Sequence, residues 1–129
     1  MARAMRHALK RVMTEEELAR QVDRFYAKAR ADALLGPVFN EAVEDWPHHL
    51  GKIQAFWSSV MLTSGRYKGS PMAAHLKHGA RLAPEMFARW LALWRETAAE
   101  VFPPDEAEAI AEKAEKIGES LSLTLFLRL

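Results

Sequence analysis

Five histidines, two tyrosines and four tryptophans carry most of the chemistry open to this 129-residue chain, and their spacing decides which can act together. His75 and His78 sit close enough in sequence to share a helix face, in the manner of a metal-binding pair. His48 and His49 are adjacent, so on a helix they diverge by roughly 100° and cannot both face one site. Only His49 falls on an apolar stripe, the one it forms with Ile53, Trp57 and Val60. His7 lies in a basic segment and reads as a surface residue. A carboxylate-bridged di-iron centre needs Glu-x-x-His motifs from separate helices, and the chain has none. A zinc site built on His75, His78 and a further ligand lacks a recognised spacing. Taken singly, each histidine is more often an exposed or packed residue than a ligand. Tyr26, Trp90 and Trp94 read first as core aromatics at helical spacing. Yet phenol and indole are hydrogen-bond donors, and a buried donor needs an acceptor, which a polar guest in a pocket would supply.

The bulk properties bound the setting of these residues. The length is that of one domain able to enclose a core and a cofactor. A formal net charge of +1 makes no demand for nucleic acid or an acidic membrane as partner. The absence of cysteine excludes disulfides, iron–sulfur clusters and thiolate-ligated metals. No apolar run is long enough to span a bilayer. The opening MARAMRHALKRVM is basic and mildly amphipathic but lacks the apolar core of a secretory signal, and its lack of serine fits a transit peptide poorly. We read residues 1–13 as a solvated basic extension, residues 14–129 as a single domain, and the cytoplasm as the default compartment.

The elements that must position the candidate residues are all helical. Thr14-Glu15-Glu16-Glu17 is a capping box, and the helix behind it carries Leu18, Val22, Phe25, Tyr26 and Ala29 on one stripe. Leu35-Gly36-Pro37 is expected to end it, with a short turn from Pro37 to Val43. Pro47 suits a first helical position, and the helix is expected to run to about Thr63. A Gly- and Pro-bearing loop from Ser64 to Pro71 leads to a short helical piece from Met72 to His78. Pro84 opens a strongly amphipathic helix with Phe87, Trp90, Leu91, Trp94, Thr97, Ala98 and Val101 on its stripe, stopped by Phe102-Pro103-Pro104. The last helix is expected from about Asp105, and the strand-like alternation of its tail, LSLTLFLRL, is read as the helix continuing. The result is an all-α domain, with no internal repeat or linker.

At this point the chain resembles a truncated haemoglobin of the third group, from about Glu16 to Ser120. The resemblance rests on FYAKARAD around Tyr26, LGPVFN from Leu35, WPHHLGKIQAFW from Trp46, YKGSPMAAHL from Tyr67 and PEMFARWLALW from Pro84, in that order. It implies a truncated globin fold, in which two antiparallel helix pairs sandwich a haem b. Position by position, it makes His75 the proximal iron ligand, Tyr26 and Trp90 the distal tyrosine and tryptophan, and His49 a distal histidine. Ile53 would pack above the porphyrin, Phe39 wedge against the ring and Trp57 cover an edge. Arg66, Tyr67, Lys68 and Arg81 are candidates to meet the propionates. The chain lacks the Gly-Gly pairs of the other truncated groups, which fits the third. An inward swing of His48 or His49 would make the ferric iron six-coordinate.

The resemblance further implies a five-coordinate iron open to O2, NO, CO or peroxide. Tyr26 and Trp90 would donate to the negative charge such a ligand acquires, each bond worth about 1.5–3 kcal/mol, so release would be slow. Redox chemistry or ligand scavenging is then expected rather than transport, with slow peroxidase or nitric oxide dioxygenase activity as alternatives. The chain shows no flavin or nicotinamide motif, so electrons would come from a separate reductase. A haem-free helical interaction module is the alternative of another class.

Overall fold

The computed structural model describes residues 13–71, 75 and 82–126, of which 124–126 are described by backbone alone. Its helices are α1 (Glu15–Ala31), α2 (Gly36–Ala42), α3 (Trp46–Leu62), α4 (Pro84–Val101) and α5 (Pro104–Phe126). The Met72–His78 piece lies outside the described residues except for His75, as do Arg81 and His7. None of the helices among the described residues is long and apolar enough to cross a membrane.

Local chemistry sets the helix ends. Thr14 Oγ1 accepts the Glu17 amide at 3.2 Å while Glu17 Oε1 accepts the Thr14 amide at 2.9 Å, the reciprocal capping box expected. The helix then stops at Ala31, earlier than Leu35-Gly36-Pro37 suggested. Asp32 is the reason: its carboxylate accepts the Leu34 and Leu35 amides at 3.1 and 3.0 Å, giving the backbone an alternative to the helix ladder. Those bonds and the Arg89 guanidinium hold the Asp32 carboxyl below the usual carboxylate range, the Leu35 amide contributing most. The corner so formed lets Pro37 sit in the first turn of a real helix, α2, where a turn was expected. Asp45 caps α3 by accepting the His48 amide at 3.1 Å, so Trp46 rather than Pro47 is its first residue. Thr63, at φ 56°, closes α3 in the left-handed region. The tail stays helical to Phe126.

Side-chain pairs fix how the helices lie. Going up α1 through Glu15, Asp23 and Tyr26 runs down α3 through Ser58, Gln54 and His49, so these two are antiparallel. Trp94 meets Ile110 and Trp90 meets Gly118, so α4 and α5 are antiparallel as well. The pairs cross where α1 packs on α4, with Gln21 Nε2 donating to the Trp94 carbonyl at 3.1 Å. Lys28 spans Glu96 and Glu100 on the rim of that crossing. The core between the pairs buries Leu18, Val22, Phe25, Trp94 and Ile110 to 1% exposure or less. Each such side chain contributes about 1.5–3 kcal/mol of transfer free energy. Met13, the last residue of the segment read as an extension, is also buried.

Two glycines report on this packing in opposite directions. A Cβ on Gly36 would lie 2.6 Å from the Arg30 carbonyl oxygen, a backbone atom that cannot step aside, whereas one on Gly51 meets nothing within 4 Å. Gly36→Ala is therefore expected to lower unfolding free energy by about 1–3 kcal/mol. Gly51→Ala, mid-helix and open, is expected to raise it by roughly 0.5–1 kcal/mol. Urea unfolding midpoints check both, and equal losses at the two sites would contradict the close α1–α2 approach.

Candidate functional site

The crossing of the helix pairs leaves a cavity of about 360 Å³. Its lining is mainly apolar, with Phe39 from α2, Ile53 and Trp57 from α3, and Phe87 from α4. The polar groups that reach it come from different elements: Tyr26 from α1, His49 and Lys52 from α3, Tyr67 and His75 from the α3–α4 connection, and Trp90 from α4. Among the described residues, no carboxylate lines it.

Tyr26 owes its position to the rings around it. Phe25, Phe39 and His49 stand edge-on to it at centroid distances of 4.9, 5.3 and 5.5 Å, and Trp46 is tilted at 5.7 Å. Burial pushes its phenol well above the ordinary value, so at neutral pH it is a donor only in its protonated form. His49 packs edge-on against both Tyr26 and Trp46. Its Nε2 is buried and has no hydrogen-bond partner among the described residues. Desolvation lowers its pKa first, and the charges of Lys52 and His48 push the same way. The imidazole is thus held neutral beside the phenol. Trp46, whose other neighbour is the Arg30 guanidinium at 4.2 Å, completes this wall.

His75 also lines the cavity. Its Nδ1 lies 2.7 Å from the Pro71 carbonyl oxygen, which can only accept, so Nδ1 carries the proton and Nε2 is left as the free lone pair. That is the tautomer a metal-ligating histidine needs, with its ring oriented by a backbone carbonyl. Phe87 flanks it at 6.2 Å.

The remaining lining is a stack of indoles. Trp57 lies on Trp94 at 4.5 Å and 22°, and Trp94 on Trp90 at 6.2 Å and 15°. Trp94 donates its N–H to the Ile110 carbonyl at 3.4 Å. Below the stack, Tyr67 packs on Phe56 and its amide donates to Ser59 Oγ at 2.8 Å.

The structure therefore brings Tyr26, His49, Trp90, His75, Phe39, Ile53, Trp57 and Tyr67 onto one cavity. Arg66 is not among them, because its guanidinium pairs with Glu15 at 2.6 Å. Lys68 and His48 do not line it either. Arg81 and His78 lie outside the described residues. Lys52 was missed by sequence reasoning, although its one-turn spacing from His49 was there to be read. The indole stack was missed too, since pairing Trp57 with Trp94 requires the helix crossing.

The cavity suits a largely apolar guest that also meets an imidazole. No group of three or more His, Cys, Asp or Glu suited to a metal ion occurs among the described residues. The chain is 33% identical to the group 3 truncated hemoglobin ctb of Campylobacter jejuni subsp. jejuni serotype O:2 over 121 residues, 88% of this chain and 92% of that protein. The chain belongs to the group III truncated haemoglobins. A crystal structure of a group III truncated hemoglobin from Campylobacter jejuni superposes with a TM-score of 0.81 at 31% identity, covering 89% of this chain and 93% of that one. No family model matches the chain. As a member of this family it is a globin-type haem ligand-binding protein with the truncated globin fold, and the haem-free interaction module is set aside.

The two perturbed groups, His49 and Tyr26, shape stability against pH. The folded protein binds a proton at His49 more weakly than the unfolded chain does, so stability falls as pH drops through about 6.5, the ordinary value. It holds the Tyr26 proton more tightly, so stability also falls as pH rises beyond about 10. His49→Phe is expected to flatten the acid side and Tyr26→Phe the alkaline side of an unfolding free energy profile. Unaltered limbs in both variants would contradict the burial assigned to these groups.

Proposed function

We propose that this truncated haemoglobin holds haem b through His75 Nε2 and binds small ligands such as O2, NO, CO or peroxide on the side facing Tyr26, His49 and Trp90. The observation that carries this reading is the contact of His75 Nδ1 with the Pro71 carbonyl, which leaves Nε2 free, in a cavity that also presents a phenol, a neutral imidazole and an indole. Phe39, Ile53 and Trp57 supply flat or branched apolar surface for the macrocycle. A haem held there by His75 would supply an iron that takes up a diatomic or peroxide ligand.

The chain's own groups decide how such a ligand is treated. The Tyr26 hydroxyl makes no hydrogen bond among the described residues, and its raised pKa keeps its proton available for donation. The Trp90 indole N–H is a second donor, fixed in type since indole cannot accept. His49 stays neutral, so its Nε2 can act as an acceptor or, with the other tautomer, a donor beside the ligand. Lys52 and Tyr67 are the groups on the cavity suited to the propionates, with Arg81 a further candidate. Arg66, paired with Glu15, instead anchors the loop that carries Tyr67.

A pocket with two strong donors holds its ligand rather than delivering it, which favours redox or scavenging chemistry in the cytoplasm. The electrons come from a separate reductase, since the sequence carries no flavin or nicotinamide motif.

Absorption spectra of purified protein test the reading directly. Wild type should show a Soret band that His75→Gly weakens or shifts and that added imidazole restores. A wild-type chain that takes up no hemin would overturn it. Tyr26→Phe should raise the dioxygen dissociation rate by roughly ten- to a hundredfold, the kinetic equivalent of one charge-assisted hydrogen bond. An unchanged rate in stopped-flow exchange against CO would show that the phenol does not reach the ligand.

A further inference from the structure

The three indoles on the cavity form a continuous π-stack, and the middle one is placed to carry a positive charge. Trp94 is 1% exposed, stacks on Trp57 at 4.5 Å and lies nearly parallel to Trp90 at 6.2 Å, so one electron-rich ring face lies against it and a second indole lies beside it. Aromatic faces stabilise an adjacent cation, and more strongly where water is excluded. Indole and phenol are the side chains most readily oxidised by one electron in a chain without cysteine. Oxidised Trp94 would spread its charge over its neighbours. Its N–H donates to the Ile110 carbonyl, which is an acceptor but no base, so the proton stays on the ring and the product is a cation radical. Phe25, edge-on to Trp94 at 5.2 Å and to Trp90 at 6.3 Å, seals the side of the stack. No acidic side chain lines the cavity among the described residues, so the neighbouring rings are the groups that accommodate this charge.

The geometry points to the Trp57–Trp94–Trp90 stack as an internal one-electron donor when the haem-loaded protein reduces hydrogen peroxide. The inference rests on the haem reading above and deepens its peroxide branch. Reduction of hydrogen peroxide to two water molecules breaks the O–O bond and takes up two electrons and two solvent protons. The stack would give one electron, becoming the tryptophan cation radical with its N–H intact, and a bound haem would supply the other. Two molecules of a phenolic reductant, each losing one electron and one proton, return both to rest. The stack thereby competes for the oxidising equivalent with Tyr26, whose buried phenol has the neutral imidazole of His49 beside it.

The test uses the haem-loaded protein frozen after mixing with one equivalent of hydrogen peroxide. Electron paramagnetic resonance should show a radical that narrows when tryptophan is ring-deuterated, and that loses one proton coupling in D2O. Peptide mapping after repeated peroxide additions should find oxidation at Trp94, Trp57 and Trp90 ahead of Trp46, although Trp46 is more exposed than Trp57 or Trp94. Trp57→Phe should lower the radical yield by about tenfold by removing one stacked indole face. The yield is read per bound haem, from each variant's own Soret absorbance. Trp94→Phe should abolish the signal, and Trp57→Phe serves in its place if that core variant fails to fold. A Soret band with a tyrosine-type radical, or with oxidation led by Trp46, would overturn the proposal while leaving haem binding intact. A protein without a Soret band would overturn both.

Discussion

Trp94 is the joint on which the rest of the structure depends. It sits on α4, stacks on Trp57 of α3, lies edge-on to Phe25 of α1 and donates its indole N–H to Ile110 of α5. Its backbone carbonyl also accepts Gln21 from α1. Every long helix therefore meets at one residue, and each contact is of a kind that fixes orientation as well as distance. Stacking sets the α3–α4 angle, the edge-on ring sets α1, and the hydrogen bond sets the rotation of α5. Removing the ring would take away about 3–5 kcal/mol, a large share of the stability of a domain this size.

The same joint explains why a cavity survives beside a well-packed core. Two antiparallel pairs that cross at a single aromatic centre pack tightly there and diverge away from it. On the diverging side, α2 and the α3–α4 connection roof the gap with Phe39, Pro71 and His75. The roof is held by polar latches rather than by a core. Ser58 Oγ donates to Glu15 at 2.6 Å, Ser64 shares that hydroxyl at 2.7 Å, and Arg66 pairs with the same carboxylate. These tie the loop carrying Tyr67 back to the first turn of α1.

How much of this was legible in the sequence follows from what each signal depends on. Caps and stripes are local, so the Thr14 box, the α4 stripe and the Pro103-Pro104 stop were read as they stand. Asp32 was misread because a side chain bonding to its own local backbone competes with the helix ladder, and periodicity does not register that contest. The short helix α2 was read as a turn for the same reason. At the site, Tyr26, His49, Trp57 and Trp90 lie on apolar stripes, and family motifs supplied their roles. The pairing of Arg66 with Glu15 depends on two elements far apart in sequence, and nothing in either segment announces it.

The electrostatic character of the pocket ties these threads together. A histidine at ordinary exposure would be partly charged near neutral pH, and a charged imidazole beside Tyr26 would draw in a counter-ion and water. Here Lys52, His48 and the desolvating rings of Tyr26 and Trp46 all disfavour that charge. The imidazole is kept neutral first by burial and then by the nearby positive charge of Lys52 and His48. Lys52 thus has a double part in the geometry: its charge depresses His49 while its ammonium remains available to an anionic group at the cavity. An anion seated on Lys52 would partly cancel the first effect, so what the lysine binds and how His49 titrates are linked through one ammonium group. Binding of an anion at Lys52 would for that reason raise the proton affinity of His49.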